Sequence, residues 1–359
     1  MVTKKKLRLP LSCTIPLLAT TMNHDAFISS CGPFFAIIPP EIIRLLNADV
    51  KRVLKQTSKG MRKLILLACD YVDLGPINNQ SDFENALSFL IRVCCERDGL
   101  RLKALSCKGT YGSCIMDLSP LARLTDLRTL NCYWMENVTE LAHLANLTNL
   151  QHLDCSYISK VTDLAPLANL TNLQLLNCCS MENVTDLEPL ANLTNLQLLN
   201  CCSMENVTDL EPLTNLTNLQ HLDCGGLTKV TDWGPLAALT NLRYLNCSYM
   251  THVADIGPLT ALTGLEELYC SCMERVTDIS PLAALTNLRE LDCSEMEVTD
   301  IRPLAALRNL QHLTCYGMSG VTDMSPLEAL ENCDIACICT EEETDEYDTD
   351  GEEEMDEYG

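Results

Sequence analysis

The residues most able to do chemistry in this chain are its cysteines. There are 22 in 359 residues, and eight of them, Cys132, Cys155, Cys178, Cys201, Cys224, Cys247, Cys270 and Cys293, stand 23 residues apart. Thiols at that density can pair as disulfides, hold a soft metal or act as nucleophiles. A structural zinc site, however, asks for paired Cys-x-x-Cys steps, and Cys270-x-Cys272 and Cys337-x-Cys339 are isolated. His152, His221 and His312 share one position of the period, three and four periods apart. On parallel strands about 4.8 Å apart they stand well over 10 Å from each other and make no common centre. No Gly-x-Ser-x-Gly, His-Glu-x-x-His, phosphate loop or dinucleotide fingerprint occurs. The expectation is a protein without catalytic residues, metal or other cofactor.

What positions these cysteines is a repeated phrase, Leu-x-x-Leu-x-x-Leu-x-Cys, as in Leu170, Leu173, Leu176 and Cys178. The register runs back to Leu102, Leu105 and Cys107 and forward to Leu313 and Cys315, then to a worn copy at Leu330, Cys333, Ala336 and Ile338. That makes ten good copies and an eleventh degenerate one. In each copy strand alternation turns Leu176 and Cys178 inward and Leu175, Asn177 and Cys179 outward. A Val-Thr-Asp step follows at 184–186, and Pro189 in Leu187-Glu-Pro-Leu190 suits the start of a short 3₁₀ turn through its fixed φ and missing donor. A turn of this size cannot bury its own apolar face and needs its neighbours to do so. Residues 169–191 and 192–214 differ only at Ala191 and Thr214, so one turn is duplicated and presents its surface twice.

The phrase resembles the leucine-rich repeat family over residues 100–340. Leu173 to Asp186, with Met181 where the cysteine-containing subclass has a cysteine, is similar to that subclass; the Thr-Asp-Leu-x-Pro-Leu half resembles the internalin type. The resemblance implies an α/β fold, a right-handed solenoid or horseshoe of ten to eleven 23-residue turns behind a short N-terminal helical segment.

Residues 1–36 have no period and are expected to be disordered or loosely packed. In residues 37–66, Ile38-Pro39-x-Glu41-Ile42 and Ser58-Lys59-x-Met61-Arg62-x-Leu64-Ile65 resemble the opening and close of an F-box, with Met61 in place of tryptophan and a middle about five residues short. That resemblance implies that Ile38, Pro39, Glu41, Ile42, Leu45 and Leu54 contact the adaptor of a cullin-type ubiquitin ligase. Read from the residues alone, the same stretch is a helical cap. Residues 67–99 form the lid over the first repeat, with Ser81-Asp82-Phe83-Glu84 as a capping box opening an amphipathic helix through Phe83, Leu87, Leu90, Ile91 and Cys94 that stops by Gly99. Residues 341–359, twelve of them Asp or Glu, form a solvated tail that carries half the net charge of −24.

The function therefore lies in a surface. Asn131, Asp154, Asn177, Asn200, Asp223, Asn246 and Asp292 each precede a strand cysteine and fall on the concave sheet face, as a side-chain ladder along the sheet or as contacts for a partner. Beside them stand Tyr133, Trp134, His152, Tyr157, His221, Tyr244, Tyr249, Tyr269, His312 and Tyr316. Six of the ten tyrosines and one of the two tryptophans share this face, the composition of a recognition surface. Glu267, Glu290, Asp292 and Glu295 make it acidic and point to a basic or polar protein partner. The charge argues against nucleic acid, and no run of 18 apolar residues points to a membrane. Cysteines recurring at one inward position read as small core residues in a reducing cytoplasm or nucleus. A faint leader after Lys4-Lys-Lys6 and the Asn-x-Thr sequons at Asn137, Asn146, Asn169, Asn183, Asn192, Asn206 and Asn215 are what a secreted adhesion protein would carry. A ligase substrate receptor, a plain scaffold and secreted adhesion remain as the three readings.

Overall fold

The computed structural model describes residues 71–74, 76–94, 102–110 and 112–337. The F-box-like stretch, Gly99, Ile338 and the acidic tail lie outside them. Among the described residues, twelve three-residue strands form one parallel sheet in strict sequence order, β1 to β12. They are β1 Tyr71–Asp73, β2 Ala104–Ser106, β3 Thr129–Asn131, β4 His152–Asp154, β5 Leu175–Asn177, β6 Leu198–Asn200, β7 His221–Asp223, β8 Tyr244–Asn246, β9 Glu267–Tyr269, β10 Glu290–Asp292, β11 His312–Thr314 and β12 Asp334–Ala336. One helix, α1 (Gln80–Cys94), covers the first turns, and between strands the chain returns through single 3₁₀ turns. The architecture is a leucine-rich repeat solenoid.

Three features of the repeat explain why each turn stacks on the next. The leucines fill one continuous core: Leu170, Leu173, Leu176, Leu187, Leu190, Met181 and Val184 are essentially solvent-free, as are their counterparts in neighbouring turns. Nine of the ten 3₁₀ turns among the described residues carry proline at their start, and the preceding aspartate accepts a backbone N–H there, as Asp186 Oδ1 does from Glu188 at 2.8 Å. The tenth, Ala142–Leu144, lacks the proline. The asparagine of Leu-Thr-Asn-Leu staples adjacent turns: Asn172, Asn195, Asn218 and Asn241 each donate from Nδ2 to the threonine carbonyl one turn back at 2.8 Å.

The rung cysteines are core residues. Cys107, Cys132, Cys155, Cys178, Cys201, Cys224, Cys247, Cys270 and Cys293 are buried and unbridged. The Cys178, Cys224 and Cys247 thiols donate to the carbonyl of the residue that precedes the next rung, at 3.3–3.4 Å. Burial pushes these thiols up, to about 12 for Cys178 and Cys270, so the thiolate that does chemistry is suppressed. The end of the ladder departs from the expected run of free thiols. Cys315 is bonded to Cys337, with Cα atoms 4.8 Å apart, because the last turn brings a cysteine into the rung position beside it.

Four expectations need correction. The segment 67–99 is not helical throughout, since β1 pairs with β2 and starts the sheet ahead of the first repeat. The cap of α1 is Asn79, not Ser81: Asn79 Oδ1 accepts the Asp82 N–H at 2.9 Å and its Nδ2 donates to the Asp82 carboxylate at 3.1 Å, the same three-residue spacing shifted two residues upstream. Phe83, Leu87, Leu90 and Ile91 are buried as expected. Cys179, outward by alternation, is only 7 % exposed. Finally, the Asn/Asp row does not chiefly bond along the sheet. Each member folds back on its own turn, with Oδ1 accepting the N–H two residues on, as in Asp154 to Ser156 (3.1 Å), Asn200 to Cys202 (3.0 Å) and Asp292 to Ser294 (3.0 Å). The strand is only three residues long, so this position ends it and caps the bend that follows.

Candidate functional site: an aromatic sheet face

The bend after each strand decides what the face displays. Two residues past the rung cysteine, in nine consecutive turns, the backbone is left-handed: Trp134, Tyr157, Ser180, Ser203, Gly226, Tyr249, Cys272, Glu295 and Gly317 have φ between 55° and 74°. The cause is hydrogen bonding between turns. Trp134, Tyr157, Gly226 and Tyr249 each donate their N–H to the next turn, to Ser156, Cys179, Ser248 and Ser271 at 2.8–3.0 Å. Alternation would have sent this position inward; the left-handed bend sends it out. Glycine is the residue that adopts this conformation freely, while a non-glycine residue costs about 1–2 kcal/mol. Three turns nonetheless place an aromatic there, and Trp134, Tyr157 and Tyr249 are 40 %, 45 % and 59 % exposed.

These side chains fall into two clusters. At the N-terminal end Trp134 meets Tyr133 and Tyr157 edge-on, each with centroids 5.8 Å apart. In the middle His221 on β7 stacks on Tyr244 on β8 at 3.7 Å and 4°, and Tyr244 leans on Tyr269 at 5.5 Å. Between the clusters the duplicated turns contribute Leu175 and Leu198, both half-buried at the same strand position as His152 and His221. They stand on the strands between the two clusters. His152 and His312 are exposed on β4 and β11, away from the central cluster, and Tyr316 is exposed beyond β11.

The central cluster borders a hollow of about 520 Å³, lined by Tyr244, Tyr249 and Tyr269 with Asp223, Asn246 and Glu205 at its polar side. Its floor is open because this turn carries Gly225-Gly226 where its neighbours carry Cys202-Ser203 and Ser248-Tyr249. A Cβ on Gly225 would stand 3.3 Å from the Asn246 side chain and the Ser248 carbonyl. That pair of glycines was the sequence signal for the hollow.

Charge on this wall is held by burial and contact. Burial raises the Asp223 carboxyl above its ordinary value, against the hydrogen bonds from the Gly225 N–H and the Asn246 side chain that lower it. Desolvation lowers His221, keeping it neutral beneath Tyr244. Tyr244 is pushed up to about 12, first by burial and then by Asp223 and Glu267, so its ring stays neutral and electron-rich. Tyr269 rises too, through burial and a hydrogen bond to Glu290. Asp292 caps its own turn through Ser294. The chemistry available is recognition: ring faces and edges, carboxylates and turn-capping carboxamides. Among the described residues no group of three or more His, Cys, Asp or Glu converges on a metal position, and no helix is long and apolar enough to cross a membrane. Ile38, Pro39, Glu41, Ile42, Leu45 and Leu54 lie outside the described residues.

The fold is that of a repeat scaffold. The family described as Leucine Rich repeats (2 copies) matches residues 148–192 and 240–284. Among solved structures, an internalin (inlF) from Listeria monocytogenes is similar at 24 % identity and a TM-score of 0.56, over 83 % of this chain and 97 % of that one. Internalin C2 from Listeria monocytogenes is 24 % identical with a TM-score of 0.36, over 77 % and 92 %. The functional domain of InlJ from Listeria monocytogenes, described as including a cysteine ladder, is 21 % identical with a TM-score of 0.43, over 65 % and 57 %. No curated protein matches the sequence.

Proposed function

We propose that the chain is a non-catalytic interaction protein that binds a basic protein segment along its sheet face, seating one lysine or arginine side chain in the hollow between Tyr244 and Tyr269. The observation that carries this reading is the coincidence of exposed aromatics on left-handed backbone with a tyrosine-walled hollow edged by Asp223 and Glu205. Strained residues persist where function holds them. Aromatic faces with adjacent carboxylates attract a cation, at about 0.5–2 kcal/mol for the ring contact alone.

The test is a fluorescence-anisotropy titration of arginine- and lysine-containing peptides against the full chain, with acidic peptides of equal length beside them. Basic peptides bind, more weakly as salt rises, and Tyr244→Ala lowers their affinity about two- to thirtyfold, the ring contact converted at 1.4 kcal/mol per decade. Equal binding of acidic peptides refutes the reading.

Residues 38–65 add a finer role. Their F-box-like opening and close support docking of a ubiquitin-ligase adaptor, with the sheet face selecting the substrate in the cytoplasm or nucleus, where the unbridged rung thiols stay reduced. Pulldown with that adaptor, compared between the intact chain and Pro39→Ala with Leu54→Asp, tests it; an intact chain that retains no adaptor refutes it. A secreted adhesion role is favoured by one observation, the exposure of Asn146, Asn169, Asn192 and Asn215 at their sequons, whereas Asn137, Asn183 and Asn206 hold carbonyls of the preceding turn at 2.6–2.7 Å. Intact mass decides it by the presence or absence of glycans at the four exposed sites.

A further inference from the structure

The duplicated turns place a second pair of cysteines side by side outside the rung. Cys179 and Cys202 each follow a rung cysteine, and β5 and β6 are in register through Asn177 and Asn200. The ladder continues past the strand ends: Cys178 donates to the Asn200 carbonyl and Ser180 to the Cys202 carbonyl, both at 2.9 Å. Cys179 therefore sits between two inter-turn hydrogen bonds, directly across from Cys202. Cys202 is half-buried and lines the hollow. Cys315 and Cys337, neighbours one turn apart at the end of the ladder, are bonded with a Cα separation of 4.8 Å, within the range a disulfide spans.

We propose that Cys179 and Cys202 form a redox-modifiable dithiol, closed to a disulfide by a hydroperoxide such as hydrogen peroxide and reopened by a dithiol reductant. Cys179 is the attacking sulfur. The facing Cys202 thiol, first, and the Ser180 hydroxyl at 3.3 Å lower its pKa against burial and the Asp223 and Asp154 carboxylates, while that of Cys202 is raised. In the first step the Cys179 thiolate attacks one peroxide oxygen and the O–O bond breaks. Cys179 becomes a sulfenic acid, and the departing hydroxide takes up the proton that Cys179 released, leaving as water. In the second step Cys202 sulfur attacks the sulfenic sulfur. The S–S bond forms, the S–O bond breaks, and the leaving hydroxide takes the Cys202 proton as a second water. Two thiols lose two electrons and one peroxide gains them. The rung thiols, buried and raised, do not compete.

The experiment treats the reduced full chain with a few equivalents of hydrogen peroxide, alkylates it unfolded and digests it after glutamate. Cleavage at Glu182 puts Cys179 and Cys202 on different peptides. The expected product is a linked pair of those peptides, two hydrogens lighter than their sum, released by a dithiol reductant. The link is lost completely in Cys179→Ser and in Cys202→Ser. In Cys202→Ser, Cys179 accumulates as a sulfenic acid that dimedone captures. Circular dichroism melting of both variants confirms that they fold. No linked pair in the native chain, or a link that survives in either folded variant and so uses a rung cysteine, overturns the proposal.

Discussion

Tyr249→Gly separates the cost of the binding face from its use. Tyr249 occupies left-handed backbone at φ 62°, the conformation that Gly226 and Gly317 hold in sister turns at 74° and 66°. Replacing it with glycine relieves about 1–2 kcal/mol of backbone strain. Against that, glycine adds about 0.5–1 kcal/mol of chain entropy to the unfolded state. Tyr249 is 59 % exposed, so the burial lost is about two-fifths of a large apolar side chain, roughly 1 kcal/mol. These contributions cancel to within about 1 kcal/mol, and urea unfolding should show a nearly unchanged midpoint. The same replacement at Tyr244, in regular β8 and stacked on His221, brings no relief and costs about 2 kcal/mol or more. Binding of a basic peptide should weaken in both variants. A loss above about 2 kcal/mol in Tyr249→Gly would show that the aromatic is structural, and unweakened binding in Tyr249→Gly would remove it from the site.

Further expectations concern the scaffold and its charge. Leu199→Ala, at a solvent-free position, costs about 2–5 kcal/mol, whereas Asn195→Ala removes one inter-turn hydrogen bond and costs about 1 kcal/mol; chemical denaturation ranks the two. Thr214→Ala restores the residue of the sister turn and removes a buried hydroxyl that has no partner, so stability rises by up to about 1 kcal/mol. His221 has a folded-state pKa below its ordinary 6.5, so the unfolded chain binds the proton first. Stability is lost as the pH falls from about 6.5 toward the lower folded value, and His221→Gln should flatten that part of a melting-temperature profile. Asp223→Asn should reduce both the affinity for basic peptides and the steepness of its salt dependence, read by anisotropy at several ionic strengths.

Most of the solenoid was legible because burial imposes it. Leu173, Leu176 and Cys178 recur at fixed spacing since every turn meets the same neighbours, and the proline of nine of the ten described 3₁₀ turns sits where a backbone donor has no partner. β1 was hidden because Tyr71-Val-Asp73 is a single three-residue strand outside the period, specified by its pairing with β2 rather than by local pattern. The Asn/Asp row falls on the sheet face, but its own-turn capping is hidden from the sequence, because alternation assumes a strand that continues, and here it bends after three residues. The aromatics were visible as composition. Their division into two clusters depends on which turns carry Leu175 and Leu198, and the hollow depends on Gly225-Gly226, a loss of side chains that composition does not flag. Cys179 shows the reverse failure, outward by register yet buried.

The most direct test of the face is affinity purification of partners with three forms of the full chain. One is native, one carries Tyr133, Tyr157, Tyr244 and Tyr269 changed to serine, and one carries four changes among exposed residues of the 3₁₀ side, Glu188, Asn192, Glu211 and Asn215, to serine. The same partner should be recovered with the native chain and the 3₁₀-side variant and be lost with the tyrosine variant, while all three melt cooperatively. Retention of that partner by a folded tyrosine variant, or its loss from the 3₁₀-side variant alone, would contradict the assignment of binding to the sheet face.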